Sequence, residues 1–249
     1  MTDQFSQSVT VGSRQVTLVD ENDQQLGVTD VWTAHRYPVK LHRAASVWWY
    51  RYQPSSTVNS SRSASSAVKI KEVLLQQRSQ HKLLGAGWWG NAVCGNVRPD
   101  ESYLGCGQRR LREELGFLPS PGRPLQLTSL FKFHYQAYGN KIYGEHEIDQ
   151  VWIGEGTDSL ELNPKEVSQV IWIPVDQLNH WAQRTPYPTA SQTLSLSVEE
   201  LRDQTAPPTF NWLDQQLTIA PWTMIMLKDK RLSAFLTPNR PEPEQQIQE

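Results

Sequence analysis

Between Gly95 and Phe117 the chain runs from a glycine-bearing loop into a stretch with leucine at helical spacing, Leu104, Leu111 and Leu115, and stops at Gly116. That spacing predicts a helix over 103–115 with its leucines on one side. Gly116 ends it, because glycine takes up the left-handed conformation of a helix terminus without a steric penalty. The rest of the chain reads mostly as strand. Alternation or β-rich composition predicts strands at 15–20, 42–52, 72–76, 125–137, 145–153 and 170–175, with a return from Gln25 after the turn Glu21-Asn22-Asp23. Gly139-Asn140 turns one strand into the next, and Pro174 ends the last. Residues 163–169 read as a small helix or loop, and 197–202 as a helical piece. Strands outnumber helices, so the expected architecture is α+β: mixed sheets packed with helices in a single domain over 15–236. Two insertions interrupt it, a serine-rich one at 54–66 and a Pro/Thr/Ser-bearing one at about 181–212. The segment 1–14 is expected to be flexible, and 237–249 to be a polar tail.

Composition narrows the classes of function. Lys+Arg number 24 and Asp+Glu 26 among 249 residues, a net charge of −2 that supplies no general attraction to nucleic acid or anionic membrane. No apolar run reaches the roughly 18 residues of a membrane span. The opening MTDQFSQSVTVGSRQ has neither the basic nor the apolar region of a secretory signal. Only Cys94 and Cys106 occur, too few for a disulfide framework and in keeping with a reducing, cytoplasmic setting. With 10 Trp, 8 Tyr and 6 Phe the chain has ample apolar area for a core.

The helix at 103–115 also carries charge. Glu101 precedes it and Glu113-Glu114 close it, a spacing that lets carboxylates share a face and offer hard oxygen ligands to a divalent cation. Arg109 and Arg110 lie in the same stretch, and guanidinium suits bidentate binding of phosphate oxygens. Together they point to a metal-assisted site for a diphosphate; the competing reading is a surface helix with an Arg109–Glu113 pair. On the strand at 145–153, Glu145 and Glu147 project from one face, where two carboxylates repel unless a cation or proton lies between them.

Gly95, Glu101, Arg109, Leu111, Glu113, Glu114, Gly116 and Phe117 fall at the positions of the Nudix box, with Arg110 where the box has glutamate. Beyond the box, LVDENDQQLG, TAHRYPVKLHRA, VLLQQRS, NAVCGN, RRLREELG, YGEHEID, APW and KRLSAF occur in order over about 17–236. In these segments the chain resembles the type I isopentenyl-diphosphate isomerases of the Nudix superfamily. The resemblance implies a Nudix fold and a reaction that adds a proton at one carbon and removes one at another, interconverting isopentenyl and dimethylallyl diphosphates. It implies Cys94 and Glu147 as the acid/base pair, Tyr135 as an aid to protonation, and Trp222 as the aromatic face opposing a cation-like intermediate. It implies a metal site at His35, His42, Glu145 and Glu147, completed by Asn96 where the family has histidine, for Mn²⁺, Zn²⁺ or Mg²⁺. It further implies Mg²⁺ at Glu114 and diphosphate contacts from Arg78, Lys82 and Arg110. A lysine that the family carries four residues before the first histidine is Val31 here. The partner is then a small allylic or homoallylic diphosphate. Trp48, Trp49, Trp88, Trp89, Trp152, Trp172 and Trp212 are expected in packing.

Two other readings compete. A Nudix diphosphohydrolase acting on a nucleotide or prenyl diphosphate is favoured by Glu113 and Asn96 and opposed by Arg110. A non-catalytic diphosphate- or nucleotide-binding protein would not need Cys94, Glu147, Tyr135 and Trp222 together.

Overall fold

The computed structural model describes residues 15–54, 69–82, 84–117, 125–156 and 159–237. In chain order the elements are β1 (Gln15–Val19), β2 (Gln25–Asp30), α1 (Val31–His35), β3 (His42–Pro54), β4 (Lys69–Arg78), β5 (Trp89–Gly90), β6 (Val93–Asn96) and α2 (Tyr103–Leu115). Then follow β7 (Thr128–Tyr138), β8 (Gly144–Glu155), β9 (Val167–Pro174), α3 (Val175–Arg184), α4 (Ala190–Thr193), α5 (Val198–Gln204), β10 (Thr209–Trp212), β11 (Gln215–Thr218), α6 (Pro221–Leu227) and α7 (Lys230–Leu236). The expected 1–14 segment, the serine-rich stretch beyond Pro54 and the tail after Thr237 lie outside the described residues. No helix of the described residues is long and apolar enough to cross a membrane.

β3 organises the sheet. Ala44–Val47 of this strand pairs antiparallel with β6 on one side while His42–Tyr50 pairs parallel with β8 on the other; its far end, Tyr50–Pro54, pairs with β4. Because side chains alternate along a strand, β3 feeds two cores. Val47 and Trp49 pack with Leu74, Leu111, Leu115 and Phe117 beneath α2. Trp48 packs on the other face with Val73, Leu75, Tyr135, Leu178, Met224 and Leu232 beneath α3, α6 and α7. The seven tryptophans expected in packing are in or against these cores, Trp88, Trp152, Trp172 and Trp212 only partly buried.

Local chemistry fixes α2. Ser102 caps it by accepting the Gly105 N–H at 3.0 Å, and Gly116 ends it at φ 69°. A Cβ on Gly116 would fall 2.7 Å from Glu161, so the close crossing of the following loop depends on glycine as much as the turn does. Leu111 and Leu115 are fully buried as the spacing predicts, whereas Leu104 is exposed.

Several helices escape the sequence reading for physical reasons. α1 is five residues long, shorter than two turns of any period. All seven residues of α6 are buried, so it has no polar face and no periodicity to detect. The apolar start of α3, Val175 and Leu178, continues the run of β9 without a break. Residues 163–166 form a turn, and β9 begins at Val167.

The insertion at about 181–212 has a structural role. Among the described residues β7 pairs only with β8, and its outer edge is met by α4 and α5. The Gln136 N–H donates to Thr193 Oγ1 and the Tyr138 N–H to Thr205 Oγ1, each at 3.0 Å, and both threonines are fully buried. The hydroxyls hand the bond on, to Ala190 O at 2.6 Å and Leu201 O at 2.7 Å. Two side chains thus satisfy a strand edge that would otherwise be open to unwanted pairing. Thr205→Val keeps the shape and deletes the hydroxyl, leaving the Tyr138 N–H unpaired against a fully buried side chain. It should cost about 1–3 kcal/mol in urea unfolding; an unchanged midpoint would mean that the edge does not depend on this bond.

Candidate active site

The period of two that puts Glu145 and Glu147 on one face of β8 continues to Asp149. All three are buried, at 8%, 6% and 1% exposure. His146 points the other way and meets His134 on β7, Nε2 to Nε2 at 2.9 Å, so neither of these histidines joins the carboxylates. Asp149 escaped the sequence reading, although the alternation that singled out the two glutamates extends to it.

Two elements bring imidazoles against this row. α1, capped by the Asp30 carboxylate on the Thr33 N–H, delivers His35; the start of β3 delivers His42. Each ring uses Nδ1 on a backbone carbonyl, His35 on Val31 O at 2.7 Å and His42 on Lys40 O at 2.8 Å. Donation from Nδ1 leaves Nε2 as the nitrogen facing the carboxylates, the arrangement that orients a metal-ligating histidine. His35 Nε2 lies 3.2 Å from Glu145 Oε2 and 3.8 Å from Glu147 Oε1; His42 Nε2 lies 3.3 Å from Glu147 Oε1. The ligand atoms of His35, His42 and Glu147 are all within 4.8 Å of one another. His42 Nε2 is fully buried and without a hydrogen-bond partner. A bare buried nitrogen aimed at a carboxylate, in a mixed N/O set, fits a divalent cation. Asn96, on the strand face of Cys94, lines the same cleft.

The electrostatics agree with a need for positive charge. Burial opposes ionisation of Glu147, yet the close approach of His42 at 3.3 Å, followed by the charge of His35, pulls its pKa down to about 2. Burial and the charge of Glu147 push Glu145 above the usual carboxylate range, and Asp149 well above it. Burial works against a charged His35, but the carboxylates of Glu145 and Glu147 outweigh it and raise the imidazole to about 9.

Beside this cluster stand the other residues singled out from the sequence. Tyr135 on β7 donates its hydroxyl to Glu147 Oε2 at 2.7 Å. Along β3, His42 is the register partner of Glu147 and Ser46 that of Cys94, so the strand carries glutamate on one flank and thiol on the other. Ser46 also donates to Asp149 Oδ2 at 2.6 Å. Burial of the thiol pushes Cys94 up to about 12, against the pull of Arg78, whose Nη1 lies 3.9 Å from Sγ. Trp222, delivered by the Pro-started α6, is 4% exposed and turns its ring toward Arg78, with Cζ at 5.0 Å from the centroid. Cys94, Tyr135, Glu147, Trp222 and His35 line one cleft of about 740 Å³, with Val31 also on its wall.

The other end of that cleft is cationic. Arg110 donates to Glu114 Oε1 at 2.7 Å, Glu113 Oε2 at 2.9 Å, Glu166 Oε2 at 2.7 Å and Cys94 O at 3.2 Å. A Cβ on Gly95 would lie 2.8 Å from the Arg110 side chain, so this glycine lets the arginine lie against β6. Glu114 is buried, its second oxygen taken by Gln76 Nε2 at 2.7 Å. Glu113 binds three arginines, Arg98, Arg109 and Arg110. Arg109 is held by Glu101 at 2.7 and 2.8 Å, so the pairing expected of a plain surface helix is one part of a wider network. Lys82 pairs with Glu166, a residue for which the sequence offered no signal.

Comparison with known proteins matches residues 63–193 to the NUDIX domain family model. A Pectobacterium atrosepticum protein named isopentenyl-diphosphate Delta-isomerase is 32% identical over 172 residues, 69% of this chain and 83% of its own length. The isopentenyl-diphosphate Delta-isomerase 1 of Photorhabdus laumondii is 33% identical over 67% of this chain and 82% of its own. That of Bos taurus is 28% identical over 65% and 69%.

A divalent cation at His35 needs the neutral ring, so with a pKa of about 9 the cation must displace a proton at neutral pH. Calorimetric titration with Mn²⁺ or Zn²⁺ in buffers of different ionisation enthalpy should record at least one proton released per cation at pH 7.5. The number should fall as pH rises through 9. Uptake without proton release at pH 7.5 would contradict this electrostatic description.

Proposed function

The chain belongs to the NUDIX domain family and, within it, to the isopentenyl-diphosphate Delta-isomerases, and on that premise we propose that it interconverts isopentenyl and dimethylallyl diphosphates. The observation that carries the reading is the pairing of Tyr135 with Glu147 at 2.7 Å in the cleft that also holds Cys94 and Trp222. Moving a double bond by one carbon requires a proton delivered to one carbon and another taken from its neighbour, by groups on opposite faces of the substrate. Glu147 and Cys94 are those groups, and Tyr135 assists Glu147 through its hydroxyl. The ring of Trp222 stabilises positive charge most where it develops, at the tertiary carbon between the two transfers. Tyr135, Trp222 and Leu84 line the cleft and would limit the approach of water to that carbon.

His35, His42, Glu145 and Glu147, with Asn96, would hold Mn²⁺, Zn²⁺ or Mg²⁺, and a cation there supplies charge that tunes the acidity of Glu147. Arg78, Lys82 and Arg110 bind the diphosphate, and a Mg²⁺ carried with it would reach Glu114 only if Arg110 or Gln76 released that buried carboxylate. Two free cysteines, one of them the catalytic thiol, support a reducing cytoplasmic setting. The feature that leaned toward a hydrolase, a second box acid at Glu113, is committed to three arginines and does not stand free for a metal.

Conversion of isopentenyl diphosphate, separated from its product by chromatography, tests the assignment. The native chain with Mg²⁺ and Mn²⁺ should convert it, and Cys94→Ala and Glu147→Gln should each lose about 10²–10⁴ in kcat while retaining the native melting transition. Full activity in Cys94→Ala would remove the thiol from the chemistry.

A further inference from the structure

Glu166 sits on two of the side chains assigned to the diphosphate. It ends the turn 163–166, which is fastened on both sides. The Asn163 N–H donates to Glu114 O at 3.0 Å and its side-chain amide to Glu113 O at 3.1 Å, tying the turn to α2. The Ser79 N–H donates to Glu166 O at 2.9 Å and Ser79 Oγ to Pro164 O at 2.9 Å, tying it to the end of β4. Glu166 Oε2 then accepts both Arg110 Nη2, at 2.7 Å, and Lys82 Nζ. All three side chains line the cleft.

The carboxylates around these cations differ in how freely they can leave. Glu114 is 1% exposed and held from both sides by Arg110 and Gln76. Glu113, although 35% exposed, belongs to α2 and is shared among three arginines of that region. Its loss would leave Arg109 and Arg110 with other carboxylates, and it makes no contact with Lys82 in the described residues. Glu166 is 27% exposed, and of the acidic groups in the described residues it is the one that forms an ion pair with Lys82. It is therefore the anion that an incoming anion can replace. Without it, Arg78, Lys82 and Arg110 would share one end of the cleft with less charge to balance them, and like charges at short range repel.

We propose that Glu166 is a resident anion that holds Lys82 and Arg110 in place until the substrate diphosphate displaces it, so that Glu166 sets the affinity of the cleft for the diphosphate. It is a positioning residue and touches no reacting carbon. The inference rests on the isomerase reading only for the identity of the headgroup. A ligand that must first displace a carboxylate binds with its intrinsic affinity reduced by the fraction of molecules in which that carboxylate has left.

Inorganic pyrophosphate, titrated calorimetrically without divalent cations, is the probe. Removing the carboxylate in Glu166→Gln should tighten pyrophosphate binding by about tenfold, as expected if the ion pairs leave about one molecule in ten open. Glu166→Asp, which keeps the charge, should bind like the native chain. The gain should vanish in Glu166→Gln/Lys82→Met. A purely structural role would loosen the turn and weaken binding, the opposite sign. Unchanged or weaker binding in a Glu166→Gln chain with a native melting transition overturns the proposal. Should that variant not fold, Glu166→Ser carries the same expectation and the same refutation. Pyrophosphate binding requires no isomerisation, so the two readings fail separately: loss of conversion leaves this result standing, and the reverse.

Discussion

Three carboxylates in a row on a buried strand are the constraint around which this molecule is built. Glu145, Glu147 and Asp149 share one face of β8, and taking even one unpaired charge out of water costs several kcal/mol. The fold answers with His35 and His42, which approach from α1 and β3 with their Nε2 atoms toward the acids. Each imidazole is fixed through Nδ1 to a carbonyl of its own local turn, so the orientation is set by backbone close at hand and not by the acids it faces. The cluster must hold positive charge, as a proton on His35 or as a divalent cation. Both choices keep Glu147 ionised, the state in which it accepts the Tyr135 hydroxyl and could take up a proton.

β3 carries this arrangement to the rest of the cleft. Among the described residues it is the one strand bonded to both β6 and β8, and so the distance from thiol to glutamate is set by sheet spacing and not by loops. The cleft's far end is governed by the opposite sign of charge. There α2, the end of β4 and the turn before β9 each contribute to one network, in which Arg110 meets Glu113, Glu114 and Glu166. The guanidinium stands among three carboxylates, two of them from α2 and one from the turn before β9. One cleft thus holds both a cation-demanding cluster and a group of cationic side chains, with Tyr135 against the first and Trp222 against Arg78 of the second.

Much of this was legible in the sequence because it is local. The alternation of β8 put the glutamates on one face and His146 on the other, and the leucine spacing with Gly116 marked α2 and its end. The family resemblance gathered His35, His42, Cys94, Tyr135 and Trp222, and the fold brings all five to the carboxylate face of β8 or its cleft. What escaped was long-range or featureless. Glu166 reaches Arg110 across 56 residues, through a turn whose sequence reads as ordinary loop. Thr193 and Thr205 look like any loop threonines until β7 supplies the N–H groups they accept. α6 hides because it is apolar on every side.

In the proposed reaction the buried acid beside Tyr135 and the thiol on β6 move protons on a diphosphate without touching its phosphorus. Proton and phosphorus NMR of isopentenyl diphosphate in heavy water, with native protein and Mg²⁺ plus Mn²⁺ and then with excess chelator, tests it directly. The account predicts deuterium-bearing dimethylallyl diphosphate with the diphosphate intact, and no exchange once the cations are withdrawn. Orthophosphate released from a substrate that carries no deuterium would contradict it.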